Sequence, residues 1–501
     1  MLESVMSLME GFSVAISPMN ILYCFIGCFV GMLVGVLPGI GPTEATALLI
    51  PLTFGMEPVS AIIMLAGIYY GGMYGGTITS VLINTPGEAA SVITCLDGYP
   101  LAKQGRAGVA LKVAAVGSFV GGLISIIGLA LIAPPLAEFA LRFGPTEMFA
   151  LLVFGMSMVV GLMGKSLVRG LVAVFIGLLL ALVGMDPVSG RIRYAFGVNQ
   201  LVSGLDLVTI CMGLFGLSEI LVGMENLYIH NKTSSVNSSR LEKGEMRPTV
   251  MSIIRGSFLG FFMGLIPGTS SAIPALISYS MEKRLSKHPE KFGKGAVEGV
   301  AGPETANNSY VGGAMIPLFT LGIPCSPTIA ILMGAFMMHG LTPGPTLFIE
   351  SPIVVWGTIA SMFIGNVILL IMNWPLAGAW AKVANIPNKL LYPVVLIIAM
   401  LGAYTVSNSL FEIGVMLVFG IIGYVLKKLE IPMAPIVLVY VLSEMIERSL
   451  LQSLKINKGF SGLYSSPIAL GFLIAAVLIL VLSLYAEFRN KKTDFLNDSD
   501  G

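Results

Sequence analysis

Charge is scarce in this chain of 501 residues, and its scarcity excludes a soluble globular fold. Only 11% of the residues are Asp, Glu, Lys or Arg, against about a quarter in soluble domains, and 55% are hydrophobic. The stretches 11–43, 58–87 and 305–349 contain no charged residue. Each is longer than the roughly 20 apolar residues that cross a bilayer. The sequence therefore predicts an all-α polytopic membrane protein, and its net charge of +1 disfavours a nucleic-acid partner.

Residue types that build catalytic and metal centres are also few. The chain has 3 His and 5 Cys, with neither a CxxC pair nor an HExxH motif among them. We therefore expect no enzymatic activity, no metal site and no cofactor beyond a coupling Na⁺ or H⁺. The Walker phosphate-binding loop of ATP motors is missing as well. Energy for any transport would then come from an ion gradient or from another subunit.

Glycine and proline, in contrast, form a repeated pattern. The motif GxxxGxxPG occurs at 31–39 and again, 229 positions later, at 260–268. A glycine pair followed by a proline-containing segment occurs at 75–87 and again at 312–325. A single GxxxG is common at membrane helix interfaces, but two motif pairs in the same order indicate a duplicated chain.

The basic loops occupy opposite places in the two halves. Between the two motifs, the loop 51–58 has no Lys or Arg in the first half, whereas 282–294 has five in the second. After the second motif the order is reversed, because 97–112 carries three basic residues and 339–352 carries none. Since Lys and Arg favour the cytoplasmic side, the halves are predicted to be inverted repeats.

Broken helices follow from the same spacing. The 26 residues of 256–281 are too few to cross a bilayer twice, so we predict re-entrant hairpins broken at Pro38-Gly39 and Pro267-Gly268. The whole chain would make about eleven crossings plus two hairpins. Its predicted divisions are a first membrane repeat (1–225), a cytoplasmic linker (226–249), a second membrane repeat (250–490) and a cytoplasmic tail (491–501).

A helix that begins inside the membrane presents unpaired N–H groups and a positive dipole end, which bind anions. Several such ends from inverted halves would form a cradle for a carboxylate-bearing solute. The residues of the breaks are the candidates for binding it: Gly39, Gly41, Thr43, Thr46, Asn84, Thr85, Pro86, Gly87, Gly268, Thr269, Ser270, Ser271, Asn307, Asn308, Gly322, Pro324 and Ser326. The alternative is that these glycines and prolines serve only hairpin folding and close packing.

Three acidic residues, Glu44, Glu88 and Glu304, border the motifs. Charged side chains are costly within a membrane and are usually functional there. Each of the three is a candidate for coordinating a coupling cation or carrying a proton. A solvated or helix-capping role near a boundary would fit each of them too.

Four long strings carry a family resemblance. They are PGIGPTEATALLIPLTFGMEP (38–58), AGIYYGGMYGGTITSVLINTPGEAASVITCLDGYPLAKQGRAG (66–108), EKRLSKHPEKFGKGAVEGVAGPETANNSYVGGAMIPLFTLGIPCSPT (282–328) and MMHGLTPGPTLF (337–348). In these strings the chain resembles the large membrane subunit of the tripartite tricarboxylate transporters, the TctA family.

The resemblance implies a multi-pass protein of the bacterial inner membrane that imports tricarboxylates or other carboxylates by symport. It also implies two partners, a small membrane subunit (TctB-like) and a periplasmic solute-binding protein (TctC-like), and uptake driven by a Na⁺ or H⁺ gradient. Cys325 stands where the family pattern usually has Gly, and Thr269-Ser270-Ser271 stand where small apolar residues and Gly are frequent. Because these positions belong to the predicted cradle, the solute need not be citrate.

Other functions remain open at this point. A stand-alone anion channel, or a carrier for another small organic anion, would also use a membrane-embedded anion site. A channel would need a continuous pore, often with rings of charge, and a membrane-embedded enzyme would need clustered His, Asp or Cys; the sequence shows neither pattern.

Overall fold

The computed structural model describes residues 2–37, 41–163, 166–186, 189–225, 241–242, 244–383, 388–464 and 466–499. These residues are overwhelmingly α-helical. The only strands among them are β1 (Gly184–Met185) and β2 (Ile192–Arg193), which form a short antiparallel pair. The linker falls largely outside these ranges, as do the last two residues of the tail.

The helices of the first half are α1 (Leu2–Ala15), α2 (Pro18–Gly35), α3 (Pro42–Leu49), α4 (Pro58–Ile83), α5 (Val92–Lys103), α6 (Ala107–Ala140), α7 (Pro145–Met163), α8 (Leu167–Ala181), α9 (Leu207–Cys211) and α10 (Ser218–Glu225). A π-helical stretch, Met212–Leu217, joins α9 to α10. Several helices have Pro among their first residues, where its fixed φ suits the helix and its missing N–H costs nothing.

The helices of the second half are α11 (Met246–Gly264), α12 (Ala272–Leu285), α13 (Glu298–Leu321), α14 (Pro327–Met338), α15 (Leu347–Glu350), α16 (Pro352–Asn373), α17 (Ala377–Val383), α18 (Asn388–Ser407), α19 (Leu410–Lys428), α20 (Met433–Ile456) and α21 (Pro467–Ser499). Short 3₁₀ turns lie at Ile50–Thr53, Asn199–Leu201, Pro289–Lys291 and Phe460–Tyr464. The predicted tail falls mainly within α21, which continues to Ser499.

Seven helical stretches of the described chain are long and apolar enough to cross a membrane. They are Pro18–Gly35, Pro58–Ile83, Ala107–Ala140, Leu207–Glu225, Pro352–Asn373, Leu410–Lys428 and Pro467–Tyr485. Shorter apolar helices lie at Pro145–Val160, Leu167–Ala181, Pro327–Met338 and Tyr392–Ser407. The prediction of an all-α polytopic membrane protein is confirmed, and the number of crossings stays a prediction.

The predicted hairpins have unequal arms. The first arms, α2 and α11, have 18 and 19 residues, which at about 1.5 Å per residue come close to the roughly 30 Å of a bilayer core. The second arms, α3 and α12, have 8 and 14 residues. The helices end and begin on either side of both predicted break points, although Pro38-Gly39 itself lies outside the described residues.

Glycine packing shows the internal repeat in atomic detail. On α2, a Cβ added at Gly27, Gly31 or Gly35 would lie 2.2–2.4 Å from a backbone oxygen of α4, that of Met64, Ile68 and Gly72 respectively. On α11, Gly256, Gly260 and Gly264 meet the backbone oxygens of Gly302, Ala306 and Tyr310 on α13 at 2.1–2.6 Å. Equivalent residues of α2 and α11 lie 229 positions apart in the sequence, and equivalent residues of α4 and α13 lie 238 positions apart. The two halves therefore share one packing register, with nine extra residues in the second connection.

Contacts between connections show that the halves run in opposite directions. The Thr53 Oγ1 lies 3.2 Å from His339 Nε2, which places the start of α4 beside the end of α14. The Asp97 carboxylate on α5 accepts hydrogen bonds of 2.7–2.9 Å from three N–H groups within 293–296, just before α13. The path α4–α5 thus runs from one face to the other, and α13–α14 runs back. The predicted inversion is confirmed.

The predicted cytoplasmic loops lie together on the face where Asp97 meets residues 293–296, joined by an ion pair and a hydrogen bond. Arg106, between α5 and α6, donates to both carboxylate oxygens of Glu245 at 3.1 and 2.6 Å. That carboxylate raises the pKa of the Arg106 guanidinium. The amide of Gln104 donates to the Lys294 carbonyl at 2.7 Å. The end of the linker and the basic connection before α13 therefore lie beside the basic connection that follows α5.

Candidate functional site

A cavity of about 400 Å³ lies between the two repeats. Its described lining comes from four segments and four separate helical residues. The segments are 41–44 at the start of α3, 86–89 with Val92 at the start of α5, 270–271 before α12, and 326–328 at the start of α14, and the helical residues are Tyr69, Met73, Phe215 and Tyr310. Both proline-containing breaks and both segments after the PG motifs therefore meet at one place.

Four helix N-termini border this cavity. Gly41 is the N-cap of α3, Ser271 is the N-cap of α12, Ser326 is the N-cap of α14, and Val92 is the first residue of α5. All four residues line the cavity. The peptide dipoles of four short helices consequently point their positive ends at the same space.

The breaks themselves have the same backbone form in both repeats. The helix α4 ends at Asn84, whose φ is 55°, and α13 ends at Gly322, whose φ is 66°. Left-handed C-caps of this kind are usually Gly and sometimes Asn. Asn84 and Gly322 lie 238 positions apart, the same separation as between equivalent residues of α4 and α13. The two breaks are therefore equivalent structural features.

Hydroxyl groups of the second repeat give the cavity hydrogen-bonding capacity. Ser270, Ser271 and Ser326 line it, and the Ser271 side chain makes no capping bond to its own helix. Thr43 and Thr328 join the two repeats across it through a 2.7 Å contact between their hydroxyl oxygens.

Two of the three predicted carboxylates also line the cavity. Glu44 Oε2 accepts a 2.9 Å hydrogen bond from the Gly41 N–H at the start of its own helix. Glu88 Oε1 accepts a 2.8 Å hydrogen bond from Asn307 Nδ2 on α13.

Glu304 lies elsewhere. Its side chain is 1% exposed and its oxygens accept hydrogen bonds from the hydroxyls of Thr77 and Thr94. It does not belong to the described lining of the cavity. The carboxylate instead joins α13 to α4 and α5.

The structure brings only part of the predicted binding set into the cavity. Gly41, Thr43, Pro86, Gly87, Ser270, Ser271 and Ser326 line it. Gly39 lies outside the described residues. The others surround the breaks without reaching the described lining: Thr46, Asn84, Thr85, Gly268, Thr269, Asn307, Asn308, Gly322 and Pro324.

Most of these surrounding residues hold backbone or neighbouring helices in place. Thr46 Oγ1 donates to the Pro42 carbonyl at 2.7 Å. The Gly268 N–H donates to the Cys325 carbonyl at 3.1 Å, which ties the second PG motif to the second break. Thr269 Oγ1 donates to the Ile266 carbonyl at 2.8 Å, and Asn308 Nδ2 donates to Ser118 Oγ on α6 at 2.7 Å.

Sequence reasoning missed the aromatic and apolar part of the lining. Tyr69, Met73, Phe215 and Tyr310 contribute to the wall, and Tyr310 donates a 2.8 Å hydrogen bond to the Thr269 carbonyl. Tyr69, Met73 and Phe215 lie in helical segments whose local sequence gives no sign of a site. One signal was available for Tyr310. In the repeat it is the equivalent of Gly72, and each of these two residues lies where its helix packs closely against the first arm of its hairpin, α11 for Tyr310 and α2 for Gly72.

A small anion fits this arrangement chemically. The described lining combines four helix N-termini, several hydroxyls and an aromatic wall with two carboxylates, Glu44 and Glu88, and it contains no Lys, Arg or His. Helix N-termini bind carboxylates and phosphates without a basic side chain.

Comparison with known proteins then decides the family. The model for the tripartite tricarboxylate transporter TctA family matches residues 21–438. The chain belongs to the TctA family.

Two relatives come from Agrobacterium vitis. One, described as an uncharacterized 52.8 kDa protein in the TAR-I ttuC' 3' region, is 42% identical over the full length of both chains. The other, described as an uncharacterized protein in the TAR-II ttuC' 3' region, is 40% identical over its own full length and 48% of this chain.

The TctA match spans both repeats and every segment that lines the cavity. This protein is therefore a membrane component of a transporter family, with many apolar helices and a cavity between inverted halves. The family resemblance predicted from the sequence is confirmed.

Proposed function

We propose that this protein is the substrate-translocating subunit of a gradient-driven, binding-protein-dependent uptake system for tricarboxylates or other small carboxylates. One observation carries the proposal: four helix N-termini from two inverted repeats border one cavity of about 400 Å³. Such cavities, within the usual 300–1,000 Å³ of small-molecule sites, suit a compact organic anion. Discontinuous helices at the interface of inverted repeats are the usual construction of secondary-transporter sites.

The proposed energy source is a Na⁺ or H⁺ gradient. The sequence has no Walker loop, and acidic residues lie in and beside the cavity. Coupling to a cation gradient uses such residues, because a carboxylate changes its charge when it binds a proton or a metal ion.

The proposed setting is the bacterial inner membrane, with a small membrane subunit and a periplasmic solute-binding protein as partners. Membership of a family named for tripartite transporters supports both partners. An all-helical fold supports the inner membrane, since outer-membrane proteins are typically β-barrels.

Uptake of labelled solutes tests the proposal. Membrane vesicles that contain the protein and its small subunit are supplied with the binding protein and with radiolabelled citrate, succinate or acetate, as tri-, di- and monocarboxylate probes. We expect at least one probe to accumulate only when a Na⁺ or H⁺ gradient is imposed and the binding protein is present. Accumulation that is indifferent to every gradient, or failure of all carboxylates in a wider panel, would overturn the proposal.

The variant Ser271→Ala tests the cavity itself. Because the Ser271 side chain makes no capping bond, its removal should leave folding intact, whereas a hydrogen bond to a charged solute is worth about 1.5–3 kcal/mol. We expect the apparent KM for the transported probe to rise at least about tenfold, as that energy implies.

A matched control is Ser361→Ala, a buried serine on α16 whose hydroxyl bonds only to its own helix, at the Thr358 carbonyl. The control should keep the wild-type KM. An unchanged KM in Ser271→Ala would show that the solute does not bind at the segment that follows the second PG motif.

A further inference from the structure

We propose that Glu88 takes up the coupling cation, H⁺ or Na⁺, and that the first repeat supplies the cation site while the second supplies the hydroxyl groups for the anionic solute. This inference rests on the proposed function, because it assigns the coupling step of that transport to one residue of the same cavity.

The charge of the cavity is the first reason. Glu44 and Glu88 line it, and its described lining has no basic side chain. Each helix N-terminus is equivalent to about half a positive charge, so four of them offset roughly the two carboxylates and leave no surplus for a di- or tricarboxylate. Unpaired charge is costly away from bulk water. A cation that neutralises one glutamate would restore the attraction for the solute.

The hydrogen bonds of the three glutamates separate their roles. Glu44 lies at the start of α3, where its carboxylate accepts a hydrogen bond from the Gly41 N–H and the helix dipole favours negative charge. Glu304 is enclosed between Thr77 and Thr94, outside the described lining. Glu304 therefore lies away from a solute in the cavity, and the Glu44 carboxylate already serves the start of its own helix.

Glu88 differs from both. It lies in the irregular segment between α4 and α5 and caps no helix. Within the described part of the chain it forms no ion pair, and its one side-chain hydrogen bond runs from Asn307 Nδ2 to Oε1, at 2.8 Å. The other atom of that amide, Asn307 Oδ1, is buried without a hydrogen-bond partner among the described residues. Glu88 Oε1 is therefore held by an amide N–H, and the carboxylate otherwise faces the cavity, where a proton or a hard cation, which prefers oxygen ligands, can bind it.

The internal repeat shows that this charge belongs to one half only. The 238-position register relates Glu88 to Ser326, and it relates Tyr69 to Asn307. Ser326 lines the same cavity but caps α14 by accepting from the Ile329 N–H. Equivalent breaks thus present a carboxylate in the first repeat and a hydroxyl in the second, which is the asymmetry that binding a cation and an anion together requires.

The polar groups that face Glu88 are acidic or neutral. They are Glu44 from α3, Tyr69 from α4, Asn307, Tyr310 and Glu304 from α13, and Ser326 from α14. Lys427, which pairs with Glu219, acts electrostatically on Glu44 of the same cavity, but no basic group among the described residues acts on Glu88. The charge of a cation bound at Glu88 would be felt by a solute in the same cavity.

The experiment compares Glu88→Gln with wild type in liposomes, using whichever of radiolabelled citrate, succinate or acetate the wild type transports best. One arm imposes a Na⁺ gradient at constant pH, and the other imposes a pH gradient in K⁺ buffer without Na⁺. In the wild type, the effective cation should tighten the apparent affinity for the probe by about 5–150-fold, the usual range of coupling between two sites. In Glu88→Gln this tightening should disappear, and gradient-driven accumulation with it, while exchange of labelled for unlabelled probe continues.

Glu57→Gln is the matched control, since Glu57 is exposed at the start of α4 and its side chain makes no capping bond; it should couple like the wild type. Accumulation by Glu88→Gln in response to the same gradient would overturn the inference. If that variant does not reach the membrane, Glu88→Asp decides, because a shortened carboxylate should shift the half-saturating cation concentration at least about fivefold and an unchanged value would overturn the inference. Wild-type protein that transports no carboxylate would instead refute the proposed function.

Discussion

Single residues decide how closely the arms of each repeat approach. Glycines on α2 and α11 leave room for the backbone oxygens of α4 and α13, and a Cβ at any of the six positions would lie no more than 2.6 Å from such an oxygen. Small residues at membrane helix interfaces allow this contact. The apparently weak GxxxG motifs of the sequence therefore mark a packing register that holds the breaks side by side.

Gly268 combines a left-handed backbone with a lack of space for a Cβ, and substitutions can separate these two effects. Its φ is +82°, and a Cβ would lie 2.7 Å from the Met158 oxygen. Gly105 has a φ of +76° with no atom within 4 Å of the added Cβ. We expect Gly105→Ala to cost only the left-handed strain of about 1–2 kcal/mol, and Gly268→Ala to cost a further 1–3 kcal/mol or so of overpacking.

Apparent melting temperatures of the two variants in detergent, followed by size-exclusion chromatography, check this difference. Equal losses for Gly268→Ala and Gly105→Ala would show that the second PG segment yields to a side chain, and the close contact with α7 would lose its importance.

Individual elements differ sharply in what surrounds them. The helix α13 contains Glu304, Asn307 and Asn308, is buried along nearly its whole length, and is not among the helices apolar enough to count as spans. The stretch Pro467–Tyr485 of α21 is the reverse, with hydropathy 2.8 and only 11% of it buried. Lipid demands apolar side chains, whereas a helix surrounded by protein can carry polar groups if they are hydrogen-bonded. The polar groups of α13 are therefore tolerated because protein, not lipid, surrounds that helix.

A loop-to-helix contact on the predicted cytoplasmic face joins the repeats through Asp97. Its Oδ1 accepts from the N–H groups of Gly293, Gly295 and Ala296, and the residue is fully buried. We expect Asp97→Ala to destabilise the protein by about 2–4 kcal/mol. The buried Ala296 N–H left without an acceptor costs roughly 1–3 kcal/mol, and the two part-buried N–H groups of Gly293 and Gly295 each lose a hydrogen bond worth about 0.5–1.5 kcal/mol, or less where water replaces Asp97. Limited proteolysis of the 286–297 connection should speed up in that variant.

Glu290→Ala is the control for this prediction. Glu290 lies in the same connection, but it is exposed and its ion pair among the described residues is with His288, at 3.3 Å. Its loss should therefore change stability by less than about 0.5 kcal/mol. If Asp97→Ala were as resistant to protease as Glu290→Ala, the contact would not hold the repeats together.

At the scale of the whole molecule, two faces are defined by which connections meet. One face joins the connection before α4 to the one after α14, through Thr53 and His339. The other joins the connection after α5 to the one before α13 and to the end of the linker, through Asp97 and Arg106. The second face carries the basic connections 97–112 and 282–294, and we predict that it is the cytoplasmic one.

Labelling from one side of the membrane tests this assignment. With Cys95 replaced by Ser, the variants Glu57→Cys and Glu350→Cys should react with an impermeant maleimide in intact spheroplasts. Lys103→Cys and Lys287→Cys should react only after permeabilisation, because all four positions are exposed and only the side of the membrane differs. Opposite behaviour within either pair would contradict the inverted arrangement.

Much of this architecture could be predicted from the sequence. The charge-free stretches predicted a membrane protein, because segments that cross lipid must be nearly free of charged side chains. The duplicated motifs located both breaks, and the distribution of Lys and Arg gave the inversion. Ser270, Ser271 and Ser326 were found because they adjoin the motifs and the motifs adjoin the cavity.

The site could be predicted only in outline. Glu304 occurs in a string rich in amides and is a candidate on that ground, yet it faces Thr77 and Thr94. Which way a helical side chain points depends on the rotation of its helix against its neighbours. Adjacency in sequence cannot report that rotation.

The sequence by itself determined the membrane class, the family, the two repeats and their opposite orientation, because each of these is recorded in local composition or in motif order. Only the tertiary structure decided that four helix N-termini share one cavity, that Tyr69 and Tyr310 line it, and that Glu88 is the glutamate left there without a helix to cap. The physical reason is that a cavity between two inverted repeats is made by contacts across more than 200 positions of chain, and such contacts leave no trace in the neighbours of any one residue.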